Sequence, residues 1–167
     1  MRFHGVIAVA AAAVLAVGPM QAAPMHHHAA PPRAKTAAAA QTSGLGEIMS
    51  LQQMRHSKLW FAGSAGNWPL ADYELDELKE GFDDVHRQFP VHDGIRLAPL
   101  LEVIEKAAMP DLAKTIAAQD AAKFAQDFDA LTAACNGCHQ STKHGFIVIQ
   151  RPTSLPYTNQ SFAPGPR

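Results

Sequence analysis

The chain carries little excess charge of either sign. Its 167 residues include 14 Lys and Arg and 15 Asp and Glu, so the formal net charge is −1 with neutral histidines. It also has no polybasic run, and nucleic acids and anionic membranes are bound mainly through such clusters of positive charge. The sequence therefore indicates neither a nucleic-acid partner nor binding to an anionic membrane surface.

Recognisable catalytic constellations are missing as well. We find no Ser/His/Asp arrangement, no paired carboxylates placed for acid–base chemistry and no glycine-rich phosphate loop. The sequence therefore does not predict a hydrolytic or group-transfer enzyme, and a carrier or a binding protein is the more plausible class.

Long apolar runs are scarce, and the notable one lies at the N-terminus. Arg2 precedes an apolar stretch from Val6 to Val17, and small residues follow at Ala22 and Ala23. This pattern is typical of a secretory signal peptide, and the stretch is too short to favour a membrane-spanning helix. No cysteine follows it that could carry a lipid anchor. We predict a signal peptide over residues 1–23, export to the periplasm and no membrane span after processing.

Residues 24–43 are rich in Pro, Ala and His and show no apolar periodicity, so we predict a disordered leader. Its segment from Met25 to His28 combines sulfur and imidazole groups, which suit copper. After cleavage behind Ala23, His26 would be the third residue from a free amine, which favours a cupric chelate. The alternative is a mobile histidine run without a dedicated metal.

From Leu45 onward apolar residues recur every three or four positions, as in amphipathic helices. Asn67 and Asp120 suit the caps of a second and a fourth helix, and Pro110 must kink or split the third. We predict an all-α domain over residues 44–144, an antiparallel up-down-up-down four-helix bundle. Its helices are expected at about residues 45–62, 68–89, 97–118 and 121–145.

The last segment, residues 145–167, cannot continue the bundle. Phe146 to Ile149 are β-forming residues, and the remainder is rich in proline. With Tyr157 and Phe162 included, the segment is too apolar to be a free tail. We predict an extended C-terminal tail that packs on the bundle and folds back over one of its ends.

Cysteine is rare, and both copies lie in the pentapeptide Cys135-Asn136-Gly137-Cys138-His139. A disulfide between them would close a loop too small to restrain the unfolded chain. A zinc site needs two more ligands, and no other histidines show a recognisable paired spacing. A dithiol redox motif belongs at a helix N-terminus, whereas this motif is predicted near the end of a helix. Haem attachment is the remaining use.

The haem interpretation employs all three side chains of the motif. Cys135 and Cys138 share a helix face on which both can form thioethers with a porphyrin's vinyl groups. His139 can then bind the iron as its proximal ligand. Export agrees with this use, because covalent haem attachment belongs to the compartment that the signal peptide reaches. The sequence predicts one covalent haem c.

A four-helix domain with this motif near the end of its last helix resembles the periplasmic monohaem proteins of the cytochrome c prime and cytochrome c-556 class, which are related in architecture to cytochrome b-562. The resemblance covers about residues 45–142. It implies a single-electron carrier that meets a redox partner protein, and a homodimer is one assembly compatible with the class. The long tail is a departure, because chains of this class usually end soon after the motif.

The residue opposite His139 decides between functions. In an up-down-up-down bundle it must come from the start of the first helix, where Met49 lies about one turn in. Met54 lies about 7.5 Å deeper and on another face, and His56 is deeper still. We predict Met49 as the distal ligand of a His/Met haem, which has a raised potential suited to electron transfer.

The alternative is that Met49 is an ordinary core methionine. The iron would then be five-coordinate and bind NO or CO, as in cytochrome c prime, or it would serve a metal-handling haem protein.

Aromatic residues near the first connection and cations after the motif have simpler interpretations. Trp60, Trp68 and Tyr73 are expected to pack at the end of the bundle far from the haem. Lys143 and His144 are expected to be exposed cations at the end of the fourth helix, with haem propionates as alternative partners.

Overall fold

The computed structural model describes residues 44–155 and 157–165, and this part of the chain is mostly helical. The all-α fold class is therefore confirmed. The predicted signal peptide (1–23) and leader (24–43) lie outside the described residues. The elements in chain order are α1 (Leu45–Ser64), α2 (Trp68–Gln88), the short strands β1 (Val91–His92) and β2 (Ile95–Arg96), α3 (Ala98–Val103), a π-helical turn (Ile104–Ala108), α4 (Met109–Ala118) and α5 (Ala121–Ser141).

None of the helices in residues 44–155 or 157–165 has the length and apolar character needed to cross a membrane.

Two connections between helices share the same two features, a left-handed residue that ends one helix and a capping residue that begins the next. Gly66 (φ 71°) and Gln119 (φ 54°) adopt left-handed backbone conformations that end α1 and α4. The next residue in each case then caps the following helix. The Asn67 side chain accepts a hydrogen bond from the Leu70 N–H, and the Asp120 side chain accepts from the first turn of α5. Both predicted caps are confirmed, and each connection is tight because one residue stops a helix and its neighbour starts the next.

Pro110 disturbs the third helical segment, but the irregularity lies on its N-terminal side. The N–H of Met109 bonds to the carbonyl of Ile104, five residues back, at the end of the π-helical turn. Pro110 has no N–H to donate and its ring clashes with the carbonyl four residues earlier, so a wider turn accommodates it. Pro110 then occupies the first turn of α4, where proline is tolerated.

The connection between α2 and α3 is a small hairpin rather than a simple turn. Asp93 (φ 49°) and Gly94 (φ 79°) are both left-handed, as a two-residue hairpin loop requires. The strands pair Val91 with Arg96 and His92 with Ile95. The hairpin therefore fixes the position of His92 next to the start of α3.

The spacing of apolar residues predicts an inward stripe on α2 that runs from Ala71 to Phe89, and all of it except the half-buried Phe89 lies in the core. Ala71, Leu75, Leu78, Phe82 and Val85 are all in the core, where α2 contacts α1 and α4. α5 in turn contacts α1, α3 and α4. The hydrophobic core thus runs continuously between the helices.

One end of this core is filled by aromatic rings, and we call it the aromatic end. It comprises the second half of α1, the start of α2 and the start of α5. The Phe124 ring contacts Trp60 and Trp68, with ring centroids 6.1 and 6.0 Å away. Gly63 lies against the same ring, since a Cβ built there would be 2.1 Å from a Phe124 ring carbon. The predicted packing role of the tryptophans is confirmed, whereas Tyr73 is 57% exposed.

The described part of the tail has contacts along α5 from one end to the other. Asn136 bonds to the backbone of Ile149, and Arg151 pairs with Asp129 at 2.6 Å. Phe162 is buried at the aromatic end against Phe61, with ring centroids 5.7 Å apart. The tail therefore follows the helix instead of covering one end only.

Candidate functional site

A cavity of about 260 Å³ lies at the opposite end of the domain, which we call the cavity end. This volume is close to the lower limit of about 300 Å³ for small-molecule sites. Its walls come from the first turns of α1, the end of α2, the hairpin, α3, the end of α5 and the first residues of the tail. The lining is largely aliphatic and aromatic, and it includes Leu78, Phe82, Val85, Leu101 and Leu131.

The last two turns of α5 carry the predicted haem motif along one wall of this cavity. Cys135, Cys138 and His139 all line it, because residues three and four apart share a helix face. Both cysteines are free thiols and are half-buried. The structure thus brings together the three side chains that the motif predicts to act together.

The two thiols have the opposite character to a redox-active pair. Burial, and to a smaller extent the neighbouring Cys138, raise the pKa of Cys135 to about 12. Burial also raises the pKa of Cys138. Reactive dithiols need a lowered pKa to form a thiolate near neutral pH. Cys135 and Cys138 are therefore protonated at pH 7, which does not suit a dithiol redox couple.

The ring of His139 is oriented by the tail. Its Nδ1 lies 3.0 Å from the backbone carbonyl oxygen of Ile147. A carbonyl oxygen only accepts hydrogen bonds, so Nδ1 carries the proton and donates it. In the neutral ring Nε2 is then the unprotonated nitrogen, and this is the form that binds a metal ion. This contact could not be foreseen, since it joins a ring to a main-chain atom in a segment without a recognised motif.

Met49, the predicted distal ligand, lines the same cavity from the first turns of α1. It is half-buried and packs against the core. Met54 is not among the residues that line the cavity, which agrees with its placement on another face. The structure therefore brings Met49 and His139 to one cavity from two different helices.

His56 forms a polar group in the otherwise apolar lining. It is 5% exposed, and its Nε2 lies 2.8 Å from the hydroxyl of Thr132. That hydroxyl donates to the Phe128 carbonyl at 2.8 Å, so it must accept from His56, and Nε2 carries the proton. Burial lowers the pKa of His56 to about 4. His56 is therefore a neutral imidazole at pH 7.

Two further histidines line the cavity. The sequence predicts no role for His92 and connects His144 with the haem only as an alternative, through the propionates. His92 comes from β1 and His144 from the turn after α5, and their ring centroids are 6.1 Å apart. His144 was expected to be an exposed cation at a helix end. For His92 the Asp93-Gly94 pair is the one local feature that could have indicated its position, because this pair predicts the hairpin that carries the ring to the cavity.

Within residues 44–155 and 157–165 no three His, Cys, Asp or Glu side chains are grouped so that they could hold a metal ion by themselves. The donors at the cavity are instead two thiols, imidazoles and one thioether around an apolar space. This set suits a large apolar cofactor that brings its own metal, since a porphyrin supplies four of the iron's ligands.

Comparisons of the chain with models of known families, with curated proteins and with solved structures found no significant match. The function must therefore be inferred from the site itself.

Proposed function

We propose that the protein is an exported c-type cytochrome that carries single electrons on one covalent haem c. One observation carries this proposal. Two protonated thiols one helical turn apart, and an imidazole whose Nε2 is free of its proton, lie on the same wall of an apolar cavity. Cys135 and Cys138 would hold the haem by thioether bonds, and His139 would bind its iron. The bound haem supplies a one-electron ferric/ferrous couple.

An antiparallel up-down-up-down bundle is part of the proposal. It is supported by the contacts of α1 with α2, α2 with α4, α4 with α5 and α5 with α1, which make a closed circuit of neighbours. It is also supported by the cavity, to which α1 contributes its first turns and α5 its last. Such a bundle builds cofactor sites from side chains on facing helices.

The remaining side chains act through their polarity. The aliphatic wall of Leu78, Leu101 and Leu131 excludes water and lowers the local dielectric constant, which disfavours the more highly charged ferric state. His56 adds no charge, because its pKa is lowered to about 4. The apolar wall would therefore raise the reduction potential of a bound haem, as an electron carrier with an accessible ferrous state requires, whereas the uncharged His56 would leave the potential unchanged.

Met49 is proposed as the sixth ligand, since it alone among the described methionines lines the cavity. A thioether ligand would raise the potential further and close the iron to small gases.

The second candidate function is a five-coordinate haem that binds NO or CO, or handles metal. It is favoured by the packing of Met49 against the core, which is what an ordinary core methionine does. Under either candidate function we propose that the protein is periplasmic. An electron carrier would also need a redox partner protein.

The first experiment tests haem attachment. The full chain with its signal peptide is produced in a bacterium that attaches haem c, and covalent haem is detected by haem staining after denaturing electrophoresis. We expect one haem per chain in the unmodified protein and in the control Ser141→Ala, which alters an exposed hydroxyl of the same helix. The double variant Cys135→Ser/Cys138→Ser should carry none. Absence of haem from the unmodified protein would contradict the proposal.

The second experiment separates the two candidate functions. Ultraviolet-visible spectra of the ferric and ferrous protein are recorded with and without carbon monoxide for the unmodified protein, Met49→Leu and the control Met54→Leu. If the protein is a His/Met carrier, its haem is low-spin and does not bind carbon monoxide. Met49→Leu should then become high-spin and bind carbon monoxide, whereas Met54→Leu should behave like the unmodified protein. A high-spin spectrum and carbon monoxide binding in the unmodified protein would instead establish the gas-binding alternative.

A further inference from the structure

We infer that Asn136 is a positioning residue, which clamps the tail so that the Ile147 carbonyl sets the tautomer and orientation of the His139 ring. Asn136 is the second residue of the motif, between the two cysteines, and the motif predicts no role for it. Its effect on a reduction potential rests on the proposed function, whereas its effect on the ring does not.

The clamp consists of two hydrogen bonds between one side-chain amide and one backbone residue. The Asn136 Nδ2 donates to the Ile149 carbonyl oxygen at 2.8 Å, and the Ile149 N–H donates to the Asn136 Oδ1 at 2.8 Å. Both backbone groups of Ile149 are thus paired with one side chain, as they would be with a neighbouring strand. An amide is the side chain that offers a donor and an acceptor at this spacing.

Ile147 lies two residues before the clamp and makes the contact with His139. Its carbonyl accepts from the His139 Nδ1–H at 3.0 Å, and its own N–H donates to the His144 carbonyl at 2.8 Å. The ring contact is exposed, so water competes for the same carbonyl. The contact therefore depends on how firmly the backbone at Ile147 is held.

Side-chain burial holds this backbone only weakly, since Ile147 lines the cavity but is 42% exposed and Ile149 is half-buried there. Phe146 is 80% exposed and Val148 is 70% exposed, so neither anchors the segment by burial. Further on, Arg151 pairs with Asp129, but that contact lies at the middle of α5 rather than at the motif. Asn136 thus provides the anchor of the tail within the motif itself.

The consequence concerns the basicity of Nε2. A hydrogen bond from Nδ1 to a fixed acceptor selects the Nδ1–H tautomer and makes Nε2 a stronger ligand, as is general for metal-binding histidines. A stronger ligand stabilises the ferric state and lowers the reduction potential. Asn136 would therefore influence the iron without touching it.

The first arm of the test needs no haem. Full-length chain is produced without haem attachment, and the ¹⁵N resonances of His139 report its tautomers, with circular dichroism as the check on folding. In Asn136→Ala we expect the ratio of Nδ1–H to Nε2–H tautomer to fall by about tenfold, which corresponds to the loss of one hydrogen bond at the upper end of its usual net contribution. Asn136→Asp keeps the size and the acceptor but loses the donor, so its tautomer ratio should lie between those of the unmodified chain and Asn136→Ala. Ser141→Ala should leave the ratio unchanged.

The second arm uses the haem-loaded chain and measures its reduction potential. Asn136→Ala should raise it by the equivalent of a tenfold change in the one-electron equilibrium, about 59 mV. Asp129→Ala removes the carboxylate that pairs with Arg151 and should leave the potential unchanged. Should Asn136→Ala fail to fold, the isosteric Asn136→Asp decides both arms.

Unchanged tautomer ratios in both Asn136 variants would overturn the inference. A shifted ratio in a chain that never acquires haem would uphold the role of Asn136 and reject the proposed function, so the two failures are distinguishable.

Discussion

The two ends of this domain are built from the same helices and serve different purposes. At the aromatic end, Trp60, Phe124 and Phe128 pack with ring centroids 5.0 to 6.1 Å apart and fill the space between α1 and α5. At the cavity end the same two helices carry smaller groups, Met49, Cys135 and Cys138, around the cavity, and α2 contributes the Phe82 ring. The aromatic end is thus filled by interlocking rings, whereas the cavity end leaves an open apolar space.

His56 marks the boundary between the two ends. Its ring lies 4.3 Å from that of Phe128, while the residue also lines the cavity. Its hydrogen bond to Thr132 satisfies the protonated nitrogen in an apolar setting. The boundary between the filled core and the cavity is therefore a neutral, paired polar group.

The largest effect should come from truncating a ring at each end. Phe124→Ala removes the centre of a filled cluster and should lower the free energy of unfolding by about 5 kcal/mol, the upper end for such changes. Phe82→Ala should cost about 3 kcal/mol, because Phe82 already borders the cavity and loses fewer contacts. Urea unfolding of the full chain without haem measures both. Equal losses would break the contrast between the ends.

Next in size is the addition of one methyl group at Gly63. The new Cβ would clash with the Phe124 ring, which is 1% exposed and contacts three other rings, so Gly63→Ala should destabilise by about 2 kcal/mol. The matched control is Gly137→Ala in α5, where nothing lies within 4 Å of the built Cβ. There alanine's helix propensity should stabilise by about 0.5 kcal/mol. Thermal unfolding of the two variants should thus shift in opposite directions.

A third prediction concerns the boundary residue. The pKa of His56 is lowered from 6.5 to about 4 in the folded chain, so the unfolded chain binds the extra proton as the pH falls from 6.5 to 4. Its contribution to stability is complete above pH 6.5 and is lost progressively below it, by about 2 kcal/mol at pH 5. Urea titrations at pH 7 and pH 5 should show this loss. The variant His56→Gln keeps a donor for Thr132 but does not titrate in this range. Its loss of stability between pH 7 and pH 5 should therefore be smaller by about 2 kcal/mol.

The smallest effect is expected where the chain reverses after α5. Lys143 has a left-handed backbone (φ 65°), which costs a residue with a Cβ about 1 kcal/mol. Lys143→Gly should relieve this and still gain about 0.5 kcal/mol after the extra flexibility of glycine in the unfolded chain. Ser141→Gly, within the helix, should lose stability instead. A loss in Lys143→Gly would mean that the lysine side chain stabilises the reversal.

Local features of the fold were predictable from the sequence. The caps Asn67 and Asp120, the buried stripe from Ala71 to Val85 and the mostly helical character follow from spacing and side-chain chemistry within one or two turns. The motif around Cys135 also placed its side chains on one face. Each of these features depends on residues that are close in the chain, because helix geometry alone determines which of them lie next to each other.

Features that join distant segments were not predictable. The predicted end of the last helix near Gly145 is replaced by an end at Ser141, because Lys143 adopts a left-handed conformation without the usual glycine. The arrival of His92 at the cavity depends on how the hairpin packs. The bond from His139 to the Ile147 carbonyl involves a main-chain atom, which every residue possesses and no side-chain pattern announces.

That bond has a bearing on how the tail tolerates change. Ile147 contributes through its carbonyl oxygen and Ile149 through its amide and carbonyl, so these hydrogen bonds do not depend on the two side chains, which line the cavity instead. Insertion or deletion of a single residue between Gly145 and Ile149 would move the carbonyl away from the ring. The contact with His139 is therefore constrained by the length of the tail, and a scan by substitution alone would not reveal the carbonyl that makes it.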